Sequence, residues 1–62
     1  MSTATYRRIR HADGRSFYDG EPIMLADAQL MINEAIARGD LEVGSFLHIE
    51  EDELIIEHEA VP

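Results

Sequence analysis

The stretch FLHIEEDELIIEHEA, residues 46–60, decides the fold that we predict for this chain. Apolar and polar residues alternate on both sides of the acidic run Glu50–Glu53, as in two half-buried strands joined by a tight turn. We therefore predict a C-terminal β-hairpin with strands over Ser45–Glu50 and Glu53–Glu59.

The register of this hairpin assigns each side chain to one face of the sheet. With Ile49 opposite Leu54, Leu47 lies opposite Ile56, and these four apolar side chains face the core. The opposite face then mixes acidic and apolar groups: Phe46, His48, Glu50, Glu53, Ile55, Glu57 and Glu59.

A second hairpin is predicted near the N-terminus, where Asp13-Gly14 separates two short runs. A three-residue loop over Ala12–Gly14, with Gly14 in the left-handed region, would pair Ile9 with Phe17 on the core side. The other face would then carry Tyr6, Arg8, Arg10 and Tyr18.

One helix is predicted over Leu25–Arg38, after Gly20-Glu21-Pro22 ends the second strand. Good helix formers fill this segment, and Gly39 is typical of the position that follows a helix. Its apolar stripe should lie on the sheet and comprises Leu25, Ala28, Ile32, Ala35 and Ile36, with Met31 at the margin. The pattern predicts one α+β domain over residues 1–62: order ββαββ, a four-stranded, largely antiparallel sheet, and one helix on one face. The strand order stays open.

The length and composition limit how such a domain is stabilised. A chain of 62 residues builds only a thin core, and without cysteine it has neither disulfides nor thiolate metal sites. A protein partner or self-association is therefore favoured. The chain has no bilayer-spanning segment and no signal-peptide pattern at its start, so we expect a soluble, cytoplasmic protein.

Charge is distributed unevenly along the chain, which has a net charge of −8. Residues 1–15 contain four arginines and one aspartate, whereas residues 16–62 contain one arginine and twelve acids. An anionic body repels nucleic acid and anionic membranes, so basic protein surfaces are the expected partners.

The acidic hairpin is the main candidate for binding such a partner. Glutamate is a poor strand former, and no arginine or lysine in these two strands relieves the repulsion. Acids around apolar anchors suit a surface that docks a basic groove, although acids also occur on ordinary solvated faces. The predicted partner-binding residues are Phe46, His48, Glu50, Glu51, Asp52, Glu53, Ile55, Glu57 and Glu59.

The helix offers an alternative contact. Leu30 lies on the side away from the apolar stripe, beside Asn33 and between Ala26 and Ala37, whose small side chains would let a second helix approach. Homodimerisation through this surface is the alternative to an isolated exposed leucine.

Other kinds of site are disfavoured by the pattern. His48 and His58 fall on opposite faces in the predicted register, so they would not share a metal ion. No catalytic residue, metal site or cofactor site is predicted, because no phosphate-binding loop or nucleophile motif occurs. The face with Tyr6, Arg8, Arg10 and Tyr18 could stack on single-stranded nucleic acid, but the acidic remainder opposes this, and these arginines are expected to pair with Asp19 or the C-terminal acids.

The size, acidity and lack of cysteine resemble those of phage-encoded inhibitors, including nucleic-acid mimics and anti-CRISPR proteins of type I systems. The local similarity lies in Gly44-Ser45-Phe46-Leu47 and in His58-Glu59-Ala60. The basic run with Arg7, Arg8 and Arg10 departs from a uniformly acidic mimic. The resemblance implies binding to a Cas protein surface that normally holds DNA or RNA, in the host cytoplasm.

Overall fold

The computed structural model describes residues 4–59, which form a four-stranded sheet with one helix. The elements are β1 (Thr5–His11), β2 (Ser16–Met24), α1 (Leu25–Arg38), β3 (Ser45–Glu50) and β4 (Glu53–His58). The order along the sheet is β2-β1-β4-β3. The predicted ββαββ α+β fold is confirmed, and Ala60 lies outside the described residues.

The strand order makes the sheet mixed. β1 pairs antiparallel with β2, and β4 pairs antiparallel with β3, while the central pair β1 and β4 is parallel. Parallel neighbours need a long crossover, and here α1 lies in the chain between the two hairpins. The two hairpins are thus joined side by side: the first strand of the N-terminal hairpin, β1, pairs with the last strand of the C-terminal hairpin, β4.

The C-terminal hairpin has the predicted register. Leu47 lies opposite Ile56 and Ile49 opposite Leu54. Leu54 and Ile56 are buried, whereas Ile49, on the outermost strand, is 48% exposed. The register is therefore confirmed, while the prediction that Ile49 belongs to the core is corrected by its position at the sheet edge.

The N-terminal hairpin departs from the predicted register by one residue. The Ala12–Gly14 loop forms as expected, with Gly14 at φ 98°. A bulge then places Ile9 opposite Tyr18 rather than Phe17. A second irregularity lies between Tyr6 and Arg8. An extra residue in one strand shifts the side-chain alternation, which the sequence pattern did not reveal.

These irregularities bring both tyrosines to the core side. Tyr6 is 8% exposed in the core cluster, and Tyr18 packs against that cluster. The predicted outward positions of Tyr6 and Tyr18 are therefore wrong. β2 also continues to Met24 instead of ending at Gly20-Glu21-Pro22. Proline fits within it because β2 is an edge strand and Pro22 lies in the irregular part between the pairs Tyr6–Ile23 and Arg8–Asp19, where it has no paired residue on β1.

The helix has the predicted bounds and ends in a glycine-dependent cap. Gly39, at φ 85°, donates its N–H to Ile36 O at 3.1 Å, and Asp40 donates its N–H to Ala35 O at 2.8 Å. This pair of bonds is the Schellman motif, which satisfies two otherwise unpaired carbonyls. No described helix is long and apolar enough to cross a bilayer.

The core is thin, and α1 contributes two alanines and one isoleucine to its fully buried part. Ala28, Ile32 and Ala35 are fully buried, with Ile36 and Met31 packed nearby. Leu25 is 40% exposed because it is the first helical residue, directly after β2, so its predicted place in the buried stripe is corrected. The helix covers one face of the sheet, and the other face presents the candidate site.

Candidate protein-binding surface

The face of the sheet away from α1 carries rows of side chains set by the strand register. Arg10 lies beside Ile55 across the parallel pair, and His48 lies opposite Ile55 across the hairpin. Phe46 lies opposite Glu57 in the next row. We call this surface the open face; its residues on β1, β4 and β3 are Arg8, Arg10, Glu53, Ile55, Glu57, Phe46, His48 and Glu50.

Glu53 is the centre of a charge cluster on the open face. Arg10 donates from Nε to Glu53 Oε2 at 3.0 Å, and Arg8 Nη1 lies 3.6 Å from Glu53 Oε1. The expected pairing of these arginines with C-terminal acids is thus observed. The acids of β4 were expected to lack neighbouring cations, but Glu53 has two, because the parallel strand β1 supplies Arg8 and Arg10.

The two predicted apolar anchors differ in exposure. Phe46 is 43% exposed, as an anchor for a partner requires. Ile55 is only 6% exposed, although it lies on the open face. Arg10 and His48 are its register neighbours on the two adjacent strands, and the central position of β4 in the sheet limits its exposure. The prediction that Ile55 is an exposed anchor is therefore wrong.

His48 and Glu57 form a second polar contact on the open face. His48 Nδ1 lies 3.7 Å from Glu57 Oε2, and both side chains are about half exposed. This contact is an ion pair only when His48 is protonated. Glu57 is consequently available to a cationic partner.

The turn between β3 and β4 concentrates acids that have no arginine partner within residues 4–59. Glu50, Glu51 and Asp52 are all exposed. Glu50 lies directly opposite Glu53, an arrangement of like charges that costs stability in a sheet. Glu51 has φ 55°, a left-handed conformation that residues other than glycine and asparagine adopt rarely. We call Glu50–Asp52 the acidic tip.

The acidic tip borders two surface grooves. One groove of about 320 Å³ is lined by Arg10 and the turn residues 50–53. The other, of about 400 Å³, is lined by Thr5, Arg7, Arg8, Asp52 and Glu53. Each of these grooves therefore combines arginines of β1 with acids of the turn. Glu59, the last described residue, is exposed beyond the other end of β4, with its N–H donated to Gly44 O at 3.3 Å.

A third groove, of about 420 Å³, opens at the end of the sheet away from the acidic tip. His11 and His58 are among its lining residues. His58 Nε2 lies 3.0 Å from Val43 O and 3.1 Å from Glu42 Oε2, which ties β4 to the loop after α1. Among residues 4–59, no three His, Cys, Asp or Glu side chains are close enough to hold a metal ion.

The predicted oligomer contact on α1 is exposed. Leu30 is 57% exposed, and Ala26, Asn33 and Ala37 are exposed as well. Gln29 donates to Asn33 Oδ1 at 3.1 Å along this side of the helix. Met24 and Leu25 add exposed apolar area at the start of the helix.

The sequence predicted that the β1 arginines pair with acids, but it did not identify Glu53 as the acid or β4 as the neighbouring strand. Arg8 and Arg10 share one face of a strand, and that spacing matches the alternation of Glu53, Ile55 and Glu57. The sequence signal that could have shown this is the opposite charge of the two alternating segments that form β1 and β4. Only the parallel pairing of β1 with β4 shows that these segments are neighbours.

Comparisons with known proteins do not identify relatives of this chain. No protein-family model, no curated protein and no solved structure matches it. The function must therefore be inferred from the surface itself.

Proposed function

We propose that this protein is a non-catalytic binding module whose acidic tip and open face dock a basic, nucleic-acid-binding protein surface. The observation that carries the proposal is the acidic tip. Three consecutive exposed acids lie there with an opposed Glu50–Glu53 pair and a left-handed Glu51. Such an arrangement lowers the stability of a small domain, and strain retained at a surface site is typical of functional positions.

The distribution of charge supports docking of a basic groove. Glu53 is neutralised within the fold by Arg8 and Arg10. The negative charge that a partner would meet is therefore that of the remaining acids on this surface: Glu50, Glu51, Asp52 and Glu57. Phe46, exposed beside Glu57, supplies an apolar anchor within this charged surround. Anions around one aromatic residue suit electrostatic steering followed by local apolar contact.

The partner that we propose is a protein whose groove normally binds DNA or RNA. The resemblance to anti-CRISPR proteins and other phage-encoded inhibitors makes a Cas protein one such partner, bound in the host cytoplasm. Binding would then block nucleic acid by occupying its groove with carboxylates. The mimicry is local, because β1 keeps a basic surface next to Glu53.

The test compares two double charge reversals with the same change in net charge. Glu50→Lys/Glu51→Lys alters the acidic tip, whereas Glu21→Lys/Glu34→Lys alters exposed acids on β2 and α1. Each is immobilised beside the wild type, and proteins captured from a host lysate are identified and titrated at low and high salt. We expect the tip variant alone to lose roughly tenfold or more in affinity, with the loss shrinking as salt rises.

Two outcomes would contradict the proposal. An equal loss of affinity in both variants would show an effect of net charge without a defined site. Full affinity in the tip variant would show that the acidic tip is an ordinary solvated turn.

A second candidate function is a small homo-oligomeric accessory protein that assembles through α1. The exposure of Leu30 at 57%, between exposed Ala26 and Ala37, favours it. Sedimentation of the wild type beside a Leu30→Glu variant tests this candidate, and the acidic tip variant serves as its control.

A further inference from the structure

The β3 strand leaves one edge of the sheet open within the described residues. The order β2-β1-β4-β3 places β3 outermost, with β4 on its inner side. Six consecutive residue pairs join it to β4 without a bulge. An extended, regular edge of this kind is a template for another strand.

The hydrogen-bond pattern identifies which backbone groups face outward. In an antiparallel pair, alternate residues bond to the partner strand and the residues between them point away. Glu59 donates its N–H to Gly44 O, which sets the alternation. Gly44, Phe46, His48 and Glu50 therefore bond toward β4, and the N–H and C=O groups of Leu47 and Ile49 point to the open edge.

The opposite edge of the sheet is protected in ways that β3 is not. β2 contains Gly20 and Pro22 and pairs with β1 through two irregularities. Proline, bulges and charged side chains are the usual means of preventing strand addition. β3, with sequence Ser-Phe-Leu-His-Ile-Glu, has no proline, glycine, lysine or arginine.

The side chains on β3 suit an added strand that carries positive charge. On the open face, Phe46 and Glu50 would flank it, and the acidic tip lies at the end of the edge. On the other face, the half-exposed Ile49 would gain an apolar neighbour. A second copy of this chain fits less well, because each copy has a net charge of −8.

We propose that β3 receives an extended basic segment of the partner by strand addition, through the backbone groups of Leu47 and Ile49. This inference rests on the proposed function and specifies how the partner is held. Main-chain bonds to β3 would give affinity, while Phe46, Glu50 and the acidic tip would select alternating apolar and basic side chains.

The probe is a blocked octapeptide of alternating arginine and valine, compared with the same peptide N-methylated at every second residue on its pairing edge. Both peptides keep the charge and side chains, but the methylated one cannot donate main-chain bonds from its pairing edge. Amide shifts and hydrogen exchange are followed by NMR during titration. We expect the unmodified peptide to bind at least tenfold more tightly and to slow exchange at Leu47 and Ile49.

Variants of the protein give the matching control. Ile49→Pro removes one outward N–H without removing a bond to β4, and Ile49→Val keeps that N–H with a similar side chain. We expect Ile49→Val to bind like the wild type and Ile49→Pro to lose most affinity. Circular dichroism checks that both fold; if Ile49→Pro unfolds, the methylated peptide still decides the question.

Three results would overturn the proposal. Equal affinity for the methylated peptide would leave docking by charge alone, with the proposed function intact. Slow exchange at Leu47 and Ile49 in a peptide-free dimer would assign the edge to a second copy. No binding of either peptide would exclude a basic strand as the ligand of β3. The proposed function would be overturned by a different result, namely partner binding that is unchanged in the acidic tip variant.

Discussion

Arg10 and Glu53 join the basic first strand to the acidic last strand, with Nε donating to Oε2 at 3.0 Å. Both side chains are about one-third exposed, and Arg8 approaches the other oxygen of the same carboxylate. The contact crosses the parallel β1–β4 pair, where the two hairpins meet. Basic residues near the N-terminus and an acidic residue near the C-terminus therefore pair with each other within the folded chain.

The two opposed glutamates of the C-terminal hairpin should respond differently to neutralisation. Glu53→Gln removes the partner of Arg8 and Arg10 and should lower the free energy of unfolding by about 1 kcal/mol, less at high salt. Glu50→Gln removes only repulsion and should leave stability unchanged or slightly higher. Urea denaturation of both variants at two salt concentrations measures the difference. Equal losses would show that the Glu53 cluster contributes nothing specific.

Ile55 and Ile49 provide a second matched pair, on opposite faces of the same hairpin. Ile55→Ala should cost about 2–5 kcal/mol because the side chain is buried, with Arg10 and His48 beside it on the neighbouring strands. Ile49→Ala should cost about 1 kcal/mol, since half of that side chain is already in water. Chemical denaturation ranks the two. A small loss for Ile55 would mean that polar side chains do not shield the open face.

The elements predicted from the sequence were those with local signals. The α1 bounds follow from helix formers and Gly39, and the β3–β4 register follows from the alternation of apolar and polar residues around a two-residue turn. The β1–β2 register failed because its two irregularities, at Phe17 and between Tyr6 and Arg8, have no periodic signature. Together they account for the wrong predicted faces of Tyr18 and Tyr6.

The candidate site was predicted only in part, for a related reason. Local alternation assigns Phe46 and Glu57 to the open face, but exposure depends on neighbouring strands. The parallel pairing of β1 with β4 neutralises Glu53 and helps bury Ile55. A contact between residues more than 40 positions apart has no local signal in a single sequence.

The cap of α1 depends on a left-handed residue, which gives a third prediction. Gly39→Ala should lower the free energy of unfolding by about 1–2 kcal/mol because φ 85° is costly for any residue with a Cβ. No atom lies within 4 Å of the added Cβ, so the loss is conformational rather than steric. Ala37→Gly on the same helix is the comparison, and thermal melting of both variants is the measurement.

We predict that the stability of the N-terminal hairpin depends on pH through Asp13 in its turn. The Arg15 backbone N–H, 3.0 Å from Oδ1, holds the pKa of Asp13 below its ordinary value, and the Arg15 side chain adds to this. Because the folded pKa is lowered, the stabilisation is present above the unfolded pKa and is lost as pH falls through the folded pKa.

An NMR titration of the Asp13 carboxyl carbon checks this sign. The midpoint should lie below that of the same residue in urea-unfolded protein, and Arg15→Ala should raise it only in part, because the backbone N–H remains. A midpoint equal to the unfolded value would mean that the turn does not hold the carboxylate.

Leu30 separates the two candidate functions, and its substitution is the last prediction. The side chain is 57% exposed on the far side of α1, so Leu30→Glu should leave helix content and the free energy of unfolding nearly unchanged. If α1 mediates a dimer, the variant should sediment as a monomer where the wild type does not. If the acidic tip is the binding site, Leu30→Glu should retain partner affinity while Glu50→Lys/Glu51→Lys loses it. Monomeric wild type at high micromolar concentration would exclude stable assembly through the helix at such concentrations, and retained partner binding by Leu30→Glu would then exclude α1 as the docking surface.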